Sequence, residues 1–426
     1  MFKGFFPLYP LEVIEVLALS TSSALSNACG IGGGSIYSSF FLGIQEFEPQ
    51  EAFPLSIFLV LCCSMITFIA SVIDKYEHPK NKFVDYDIAI IIGPSMLLGT
   101  KIGTILNKIF NSFILTITVI IVVCYSITIT YRNMKASRTR EEQLIQEMQI
   151  EEILNQGNEP LLSKREVQRY KADMLDSNNR ALTAKERAIL YEDEQPLRFE
   201  RVSFMIVLEI IVIINQLLEG NTNLSSLIGV IRCSILYWVI FALFFVILLL
   251  SIKFAYSMVK SHLEERKRID SNYKDDKLVK ISQQIIKIVI LGILAGVISS
   301  MVGIGGGMLV IPLLSIIGFE PKEATSTSNF LVITTTISTT LLFSFGGQLK
   351  YSYALWMAIP CSAAALVGSF LVLKHINKTK RSSFLMEIML YLMIASLCIL
   401  LYRGYYLIGE SSLNSLSDVF KLNNYC

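Results

Sequence analysis

The sequence predicts an all-α polytopic membrane protein built from two inverted repeats of five segments each, joined by a linking transmembrane pair. Three observations support this fold class. First, 53% of the 426 residues are hydrophobic and only 17% are charged, against roughly 25% charged residues in a soluble domain. Second, the apolar residues occur in runs that approach the roughly 20 residues needed to cross a bilayer core. Third, two stretches of sequence occur twice in the same order.

Long apolar runs divide the chain into a first transmembrane repeat, a linking pair and a second repeat. The first repeat is predicted over residues 1–131, the linking transmembrane pair over 202–252 and the second repeat over 284–426. In each repeat a glycine motif separates the first two segments, which brings the number of segments to five. The long runs lie at residues 52–73, 88–106, 112–131, 202–218, 235–252, 285–302, 325–345, 354–373 and 384–401.

Two recurring motifs indicate an internal duplication. The sequence GIGGG occurs at residues 30–34 and again at 303–307, and FEPxEA occurs at 47–52 and again at 319–324. The offsets of 273 and 272 residues differ by a single gap. Seven segments separate corresponding positions, and because seven is odd, the second repeat is predicted to enter the membrane in the opposite sense. Inverted repeats are common in secondary transporters, whose binding sites lie near the membrane midplane.

Charged segments interrupt the apolar runs. Residues 132–201 are predicted to be a charged cytoplasmic insert and residues 253–283 a charged cytoplasmic loop, because Lys- and Arg-rich loops face the cytoplasm. With the other basic loops, this side then holds 29 of the 37 Lys and Arg residues. Helical spacing in the insert predicts a solvated, partly helical segment or, alternatively, a docking helix for a cytoplasmic regulatory protein. The apolar residues with this spacing are Leu144, Ile145, Met148 and Ile153.

Glycines destabilise a helix in the middle of an apolar segment, so the presence of three in each motif needs an explanation. Each glycine in a helix interior costs about 1 kcal/mol relative to alanine. One reason is close packing, since glycine lets helices approach each other. The other is a broken helix whose new N-terminus exposes unpaired N–H groups and a positive dipole end, which suits an anion. For a pair of motifs brought together by inverted symmetry, we favour the anion site.

A helix end stabilises an anion by only about 0.3–1 kcal/mol at an exposed position, so directed donors must contribute as well. Hydroxyl and amide side chains cluster around both motifs. The alternative is that these hydroxyls bond back to the carbonyls of their own helices. The predicted substrate-binding residues are Asn27, Gly32, Gly33, Gly34, Ser35, Ser299, Ser300, Gly305, Gly306, Gly307, Thr325, Ser326, Ser328 and Asn329.

Few charged residues lie inside the apolar runs. Lys101 is near one end of its segment and is expected to extend to the membrane interface. Glu209 lies in the middle of a linking segment, where it is either functional or engaged in an interhelical hydrogen bond. The eight cysteines form neither a CxxC pair nor a disulfide framework, and no metal-ligand spacing occurs. We therefore expect no cofactor, no metal and no enzymatic activity, and no nucleic-acid partner.

The motifs resemble the duplicated signature of the TauE/SafE sulfite-exporter family. The resemblance rests on GIGGG at residues 30–34, GIGGGMLVIPLL at 303–314 and EPKEATS at 320–326. It covers both repeats but not residues 132–283. The second copy is the better match, because FPLS stands at 53–56 where the second copy has TSTS. The resemblance implies transport of sulfur-containing anions such as sulfite or organosulfonates.

Transport of a small anion across the lipid bilayer is thus the predicted function. Moving a negative charge out of a cell that is negative inside is favoured by about 2.3 kcal/mol per 100 mV. We therefore predict export driven by the membrane potential, with weak or no ion coupling. The alternatives are a transporter of another small anion or a neutral solute, and a membrane scaffold without transport that acts through the insert at 132–201.

Overall fold

The computed structural model describes residues 10–30, 32–77, 84–155, 195, 197–220, 226–231, 233–269, 276–319, 321–379 and 383–411. This part of the chain contains twelve α-helices and no β-strand. The helices are α1 Pro10–Ala28, α2 Gly34–Gly43, α3 Pro49–Glu77, α4 Tyr86–Ile109, α5 Ser112–Asn155, α6 Phe199–Glu219, α7 Ile235–Ile269, α8 Asp276–Met301, α9 Gly307–Ile317, α10 Pro321–Phe345, α11 Tyr351–Thr379 and α12 Ser383–Ser411.

The predicted all-α polytopic membrane protein is confirmed. Nine helices in the described part are long and apolar enough to cross a membrane, and each contains one of the nine apolar runs. Helix α7 turns many apolar side chains outward, including Trp238, Leu243 and Phe254. A soluble protein would not expose such a continuous apolar face, whereas a bilayer is its natural surrounding.

Helices α1–α5 and α8–α12 pack on one another in a matched pattern. Helix α4 packs along α8, and its counterpart α11 packs along α1. Helix α3 contacts α10 and α11, and α10 contacts α3 and α4. The short helices follow the same rule, since α2 packs on α12 and α9 packs on α5. The packing partners are therefore preserved when the first set of five helices is exchanged for the second.

The linking helix α6 is joined to α4 by ion pairs near both of its ends. At one end, Asp87 of α4 accepts from Arg198 at 2.8 Å and from Arg201 at 3.1 Å. At the other end, Lys101 Nζ lies 2.5 Å from Glu219 Oε2, and both side chains are buried. The expectation that Lys101 extends to the membrane interface is therefore wrong. Glu219 supplies a partner inside the protein, so the ammonium group remains there.

Helix α5 extends well beyond the bilayer. It has 44 residues, and at 1.5 Å per residue this corresponds to about 66 Å, compared with a hydrocarbon core of about 30 Å. The segment with helical spacing in the insert, including Leu144 and Ile153, is part of this helix. Residues 156–194 of the insert lie outside the described residues, and a docking partner for the helix remains a prediction.

Six of the described cysteines are free, and one is not. Cys233, in the link between α6 and α7, is disulfide-bonded. Its partner lies outside the described residues. The sequence pattern gave no indication of this bond, because a lone cysteine in a short link has no characteristic spacing. Disulfides persist in oxidising compartments, which fits this link, because it joins two segments whose other ends adjoin the insert and the loop that are predicted to be cytoplasmic.

Candidate functional site

Each glycine motif lies between the end of one helix and the start of another. Helix α1 ends at Ala28 and α2 begins at Gly34, while α8 ends at Met301 and α9 begins at Gly307. The residues that precede α2 and α9 make no side-chain cap. Three glycines in each motif have a positive φ, which residues with a Cβ adopt only under strain. These φ angles are 74° for Gly30, 75° for Gly32, 74° for Gly33, 71° for Gly303, 75° for Gly305 and 82° for Gly306.

The two motifs touch through their backbones. A Cβ atom placed on Gly34 would lie 2.8 Å from Ile304 Cα and would overlap the Ile304 carbonyl group. A Cβ on Gly30 would lie 2.9 Å from the Cα of Thr325 in α10. The equivalent atom on Gly303 would lie 2.8 Å from the Cα of Phe53 in α3, 272 residues before Thr325. Close packing therefore accounts directly for these glycines.

Two serine hydroxyls bridge the motifs. Ser56 Oγ lies 2.8 Å from the carbonyl oxygen of Gly303 and 3.1 Å from that of Gly34. Ser328 Oγ lies 3.1 Å from the carbonyl oxygen of Gly30 and 3.5 Å from that of Gly307. A hydroxyl has one proton and donates fully to one carbonyl at a time, so each serine can bond to either motif but not fully to both at once. Sequence analysis missed Ser56, although the 272-residue offset aligns it with Ser328.

Several predicted residues donate to backbone carbonyls, within their own helix for Ser299 and Ser300, as the alternative interpretation expected, and across to another segment for Thr325. Thr325 Oγ1 donates to the carbonyl of Cys29 at 3.3 Å. Ser299 Oγ donates to Gly296 at 3.0 Å in its own helix. Ser300 Oγ lies 2.8 Å from the same carbonyl and 3.1 Å from that of Thr100 in α4. Ser326 is buried in the first turns of α10. In this conformation the hydroxyls of Thr325, Ser299 and Ser300 serve the packing of the helices.

Other polar atoms near the motifs are buried without a protein partner among the described residues. They are Ser35 Oγ, Ser64 Oγ, Asn27 Oδ1 and Asn329 Oδ1. Ser64 Oγ lies 3.4 Å from the position of a Cβ on Gly32, and sequence analysis had not selected Ser64. Buried polar atoms are nearly always hydrogen-bonded. These four atoms are therefore the places where a bound ligand or water could form additional hydrogen bonds.

A polar cluster lies behind the first motif only. Tyr37 Oη donates to Ser23 Oγ at 2.7 Å and accepts from Asn27 Nδ2 at 2.9 Å. A Cβ on Gly33 would lie 2.8 Å from the same phenol oxygen. Val310 stands at the equivalent position of the second repeat. The polar surroundings of the two motifs therefore differ, and the clue in the sequence was Tyr37, a tyrosine inside the apolar segment α2.

A charged cluster at the start of α4 lies in a different region. The Asp85 carboxylate caps α4 by accepting from the N–H groups of Asp87 and Ile88, at 3.1 and 3.2 Å. Burial, followed by the neighbouring carboxylates of Asp87 and Glu323, raises the pKa of Asp85 to about 7. Among the described residues, no group of three or more His, Cys, Asp or Glu is arranged to hold a metal ion.

A small cleft, with a volume of about 30 Å³, lies near the end of α6, away from the glycine motifs. Lys101, Thr104, Gln216, Glu219 and Tyr237 are among its lining residues. No predicted substrate-binding residue contributes to it. We assign the candidate substrate site to the motifs, because they join the two repeats and carry buried polar atoms without partners.

Comparison with known proteins is consistent with the motifs. The family model described as sulfite exporter TauE/SafE matches residues 15–157 and 221–399. The match therefore includes residues 132–157 and 221–283, which the motif resemblance was not expected to cover. Between residues 15 and 399 it leaves out only 158–220, where α6 lies.

Curated relatives from Arabidopsis thaliana are similar over most of the chain. Sulfite exporter TauE/SafE family protein 1 is 25% identical over 388 residues, covering 88% of this chain and 80% of the relative. Family protein 5 is 24% identical over 85% of this chain and 76% of its own length, and family protein 6 is 26% identical over 90% and 80%. No solved structure matches the chain. Because the family model matches most of its length, the chain belongs to the TauE/SafE family.

Proposed function

We propose that the chain is a secondary transporter that carries small sulfur-containing anions, such as sulfite or an organosulfonate, across a membrane. The family membership supports a membrane transporter, and the relatives are named sulfite exporters. The described part of the chain supplies nine helices long enough to span the membrane. The names of the relatives point to a sulfur compound. The chemistry of the motifs points to an anion.

The observation that carries the proposal is the backbone contact between the two motifs. Helices α2 and α9 begin directly after this contact, at Gly34 and Gly307. The first N–H groups of a helix have no acceptor within the helix, and its dipole is positive at that end. Two such ends beside each other attract a single anion. The hydroxyls of Ser35 and Ser64 have no protein acceptor, so each can add a directed hydrogen bond.

The matched packing of α1–α5 and α8–α12 supports a pseudo-two-fold relation between the repeats. Helix α8 is the seventh helix after α1, so counting each helix as one crossing gives an odd number, which would invert the second repeat. Under this symmetry the two glycine motifs approach the midplane from opposite sides. The site would then be reached from either side in turn, as in other transporters with inverted repeats.

The proposed direction is outward. The membrane potential favours outward movement of an anion by about 2.3 kcal/mol per charge at 100 mV, so export needs no second ion. The described residues of both motifs, 30, 32–34 and 303–307, are buried in this conformation. An opening on each side in turn must therefore accompany substrate entry and release.

The experiment is anion flux in liposomes containing the purified protein, measured for a panel of sulfur and non-sulfur anions. Gly33→Leu and Gly306→Leu should each abolish flux while leaving the protein inserted, since a side chain there is strained and meets Tyr37 or Met96. Gly229→Leu is the matched control, because Gly229 has the same positive φ and nothing within 4 Å of its Cβ position. Normal flux in both motif variants would rule out the site.

The panel also separates the proposal from its alternatives. Flux of sulfite and sulfonates that other small anions do not inhibit supports sulfur selectivity. Equal flux of unrelated anions, or of a neutral solute, would instead indicate a broader transporter. Absence of flux for every compound would favour a scaffold that acts through the insert at residues 132–201.

A further inference from the structure

Helix α6 holds a carboxyl group deep in the membrane. Glu209 lies ten residues from both Phe199 and Glu219, the ends of the helix, which is about 15 Å along the axis in each direction. Its side chain is buried, with a residual exposure of 8%. The family match leaves this helix out, and the proposed anion site does not use Glu209.

Among the described residues, the Glu209 carboxyl group makes one hydrogen bond. Ser338 Oγ, from α10, lies 2.5 Å from Glu209 Oε2. Glu209 Oε1 is buried and has no hydrogen-bond partner among the described residues. Within the same residues, Glu209 takes part in no ion pair. An isolated carboxylate is costly to bury without a cation, so this environment favours the protonated acid.

Other titratable groups on the helices packed against α6 lie towards its ends. Asp87 pairs with Arg198 and Arg201 at the start of α6, and Lys101 pairs with Glu219 at its end. None of the described charged groups lies within ion-pair distance of Glu209. The titratable groups on these helices that face the interior are Tyr86, Asp87 and Lys101 on α4, Tyr237 and His262 on α7, and Lys322 and Glu323 on α10.

Polar side chains on one face of α6 connect Glu209 to the cleft. Gln216, seven residues further on, donates through Nε2 to the carbonyl of Ser338 at 3.3 Å. Its Oε1 atom is buried without a partner among the described residues. Asn215 Nδ2 donates to Glu219 Oε1 at 2.9 Å. Gln216 and Glu219 both line the cleft, so the stripe leads from the middle of the membrane to a space large enough for a water molecule.

We propose that Glu209 is a proton-binding site reached from this cleft, and that its protonation controls transport through α10. The carboxylate takes a proton from water in the cleft and later returns it to the same water. Ionisation strengthens the hydrogen bond from Ser338. Helix α10 also carries Ser328, ten residues before Ser338, whose hydroxyl contacts both glycine motifs. A change at Glu209 therefore reaches the substrate site along a single helix.

Proton binding is tested first without any substrate. Infrared spectra of the protein in lipid should contain a protonated-carboxyl band that disappears as the pH rises. Because Asp85 has a pKa of about 7, the comparison is made in an Asp85→Asn background, in which Glu209→Gln should remove this titrating band. Glu200→Gln is the matched control, because Glu200 is on the same helix but 68% exposed, and it should keep the band. A titrating band of equal size in Glu209→Gln would overturn the proposal.

Control of transport is tested by flux at different external pH values, and this part rests on the proposed function. A short alkanesulfonate is the probe, because its charge stays constant where sulfite itself titrates. A single controlling proton changes flux by at most about tenfold per pH unit. Wild type and Glu200→Gln should depend on pH, whereas Glu209→Gln should not. The same pH dependence in Glu209→Gln would refute the control of transport.

Ser338→Ala provides a second variant. Removing the hydroxyl removes the hydrogen bond that stabilises the charged carboxylate, so the infrared titration should shift to higher pH. An unshifted titration would show that the Ser338 contact does not act on Glu209. If no anion is transported by any variant, the proposed function fails, while the infrared result still decides whether Glu209 binds a proton.

Discussion

Gly34→Ala tests the contact between the glycine motifs without straining the backbone. Gly34 is the first residue of α2 and does not have a positive φ, so alanine fits its conformation. The new Cβ would lie 2.8 Å from Ile304 Cα, whereas carbon atoms in contact prefer about 3.5–4.0 Å. Because the clashing atoms belong to the backbone of Ile304, no side-chain rotation can relieve the overlap. The motifs must therefore separate by about 1 Å.

The size of the effect follows from this displacement. Overpacking of a close-packed site typically costs about 1–3 kcal/mol, and the gain of alanine over glycine in a helix, about 0.5–1 kcal/mol, offsets part of it. A donor moved by 1 Å from hydrogen-bond distance no longer bonds to the substrate. Each bond to a charged group contributes about 1.5–3 kcal/mol, so the loss of one should weaken anion binding roughly ten- to hundredfold.

The assay measures the concentration of anion that gives half-maximal flux, together with the thermal stability of the protein in detergent. Gly404→Ala is the control, because Gly404 lies inside α12 and its Cβ position is 3.4 Å from Ile120 Cδ1. This variant should transport normally and be slightly more stable. Wild-type flux and stability in Gly34→Ala would refute the backbone contact and the site built on it.

Three further predictions concern the ion pairs, the helix cap and the insert. Lys101→Met should lower the free energy of unfolding by about 3–5 kcal/mol, because Glu219 remains buried and unpaired. The double variant Lys101→Met, Glu219→Leu should recover most of this loss. Equal losses in the single and the double variant would contradict the prediction. Asp85→Asn keeps the cap of α4 but removes a group that burial keeps protonated. The wild-type melting temperature should therefore fall between about pH 4 and pH 7 as the unfolded chain releases a proton that the folded protein retains, and the variant should lack this fall. Deleting residues 156–194 should leave flux intact, whereas loss of flux would assign the insert to transport.

The sequence was sufficient to predict the fold class, because membrane spans depend on local composition. Each of the nine apolar runs is part of a spanning helix, since a run of apolar residues has few alternatives in lipid. The glycine motifs were informative for the same reason. Three adjacent glycines are poor helix formers wherever they occur, and a helix begins at Gly34 and at Gly307.

The contacts of individual polar side chains could not be predicted in this way. Lys101 and Glu219 are 118 residues apart. Nothing in the sequence of either segment identifies the other residue as its partner. The cost of burying a charge indicates that a partner is needed, but only the packing of α6 on α4 identifies it. Glu209 posed the same problem, and Ser338 is 129 residues away. Ser56 was missed because a single serine in an apolar run has many structural uses.

The two bridging serines explain how packing and anion binding can occupy the same place. A break in a helix leaves both carbonyl and N–H groups without partners, and the carbonyls would repel an anion. Ser56 and Ser328 each have one proton to donate, so together they satisfy two of the nearby carbonyls at a time: that of Gly303 or Gly34, and that of Gly30 or Gly307. The N–H groups at the starts of α2 and α9 receive no such partner from a capping side chain. Satisfying acceptors while these N–H groups stay uncapped makes the motif contact more electropositive, so the hydroxyls that hold the repeats together also favour an anion between them.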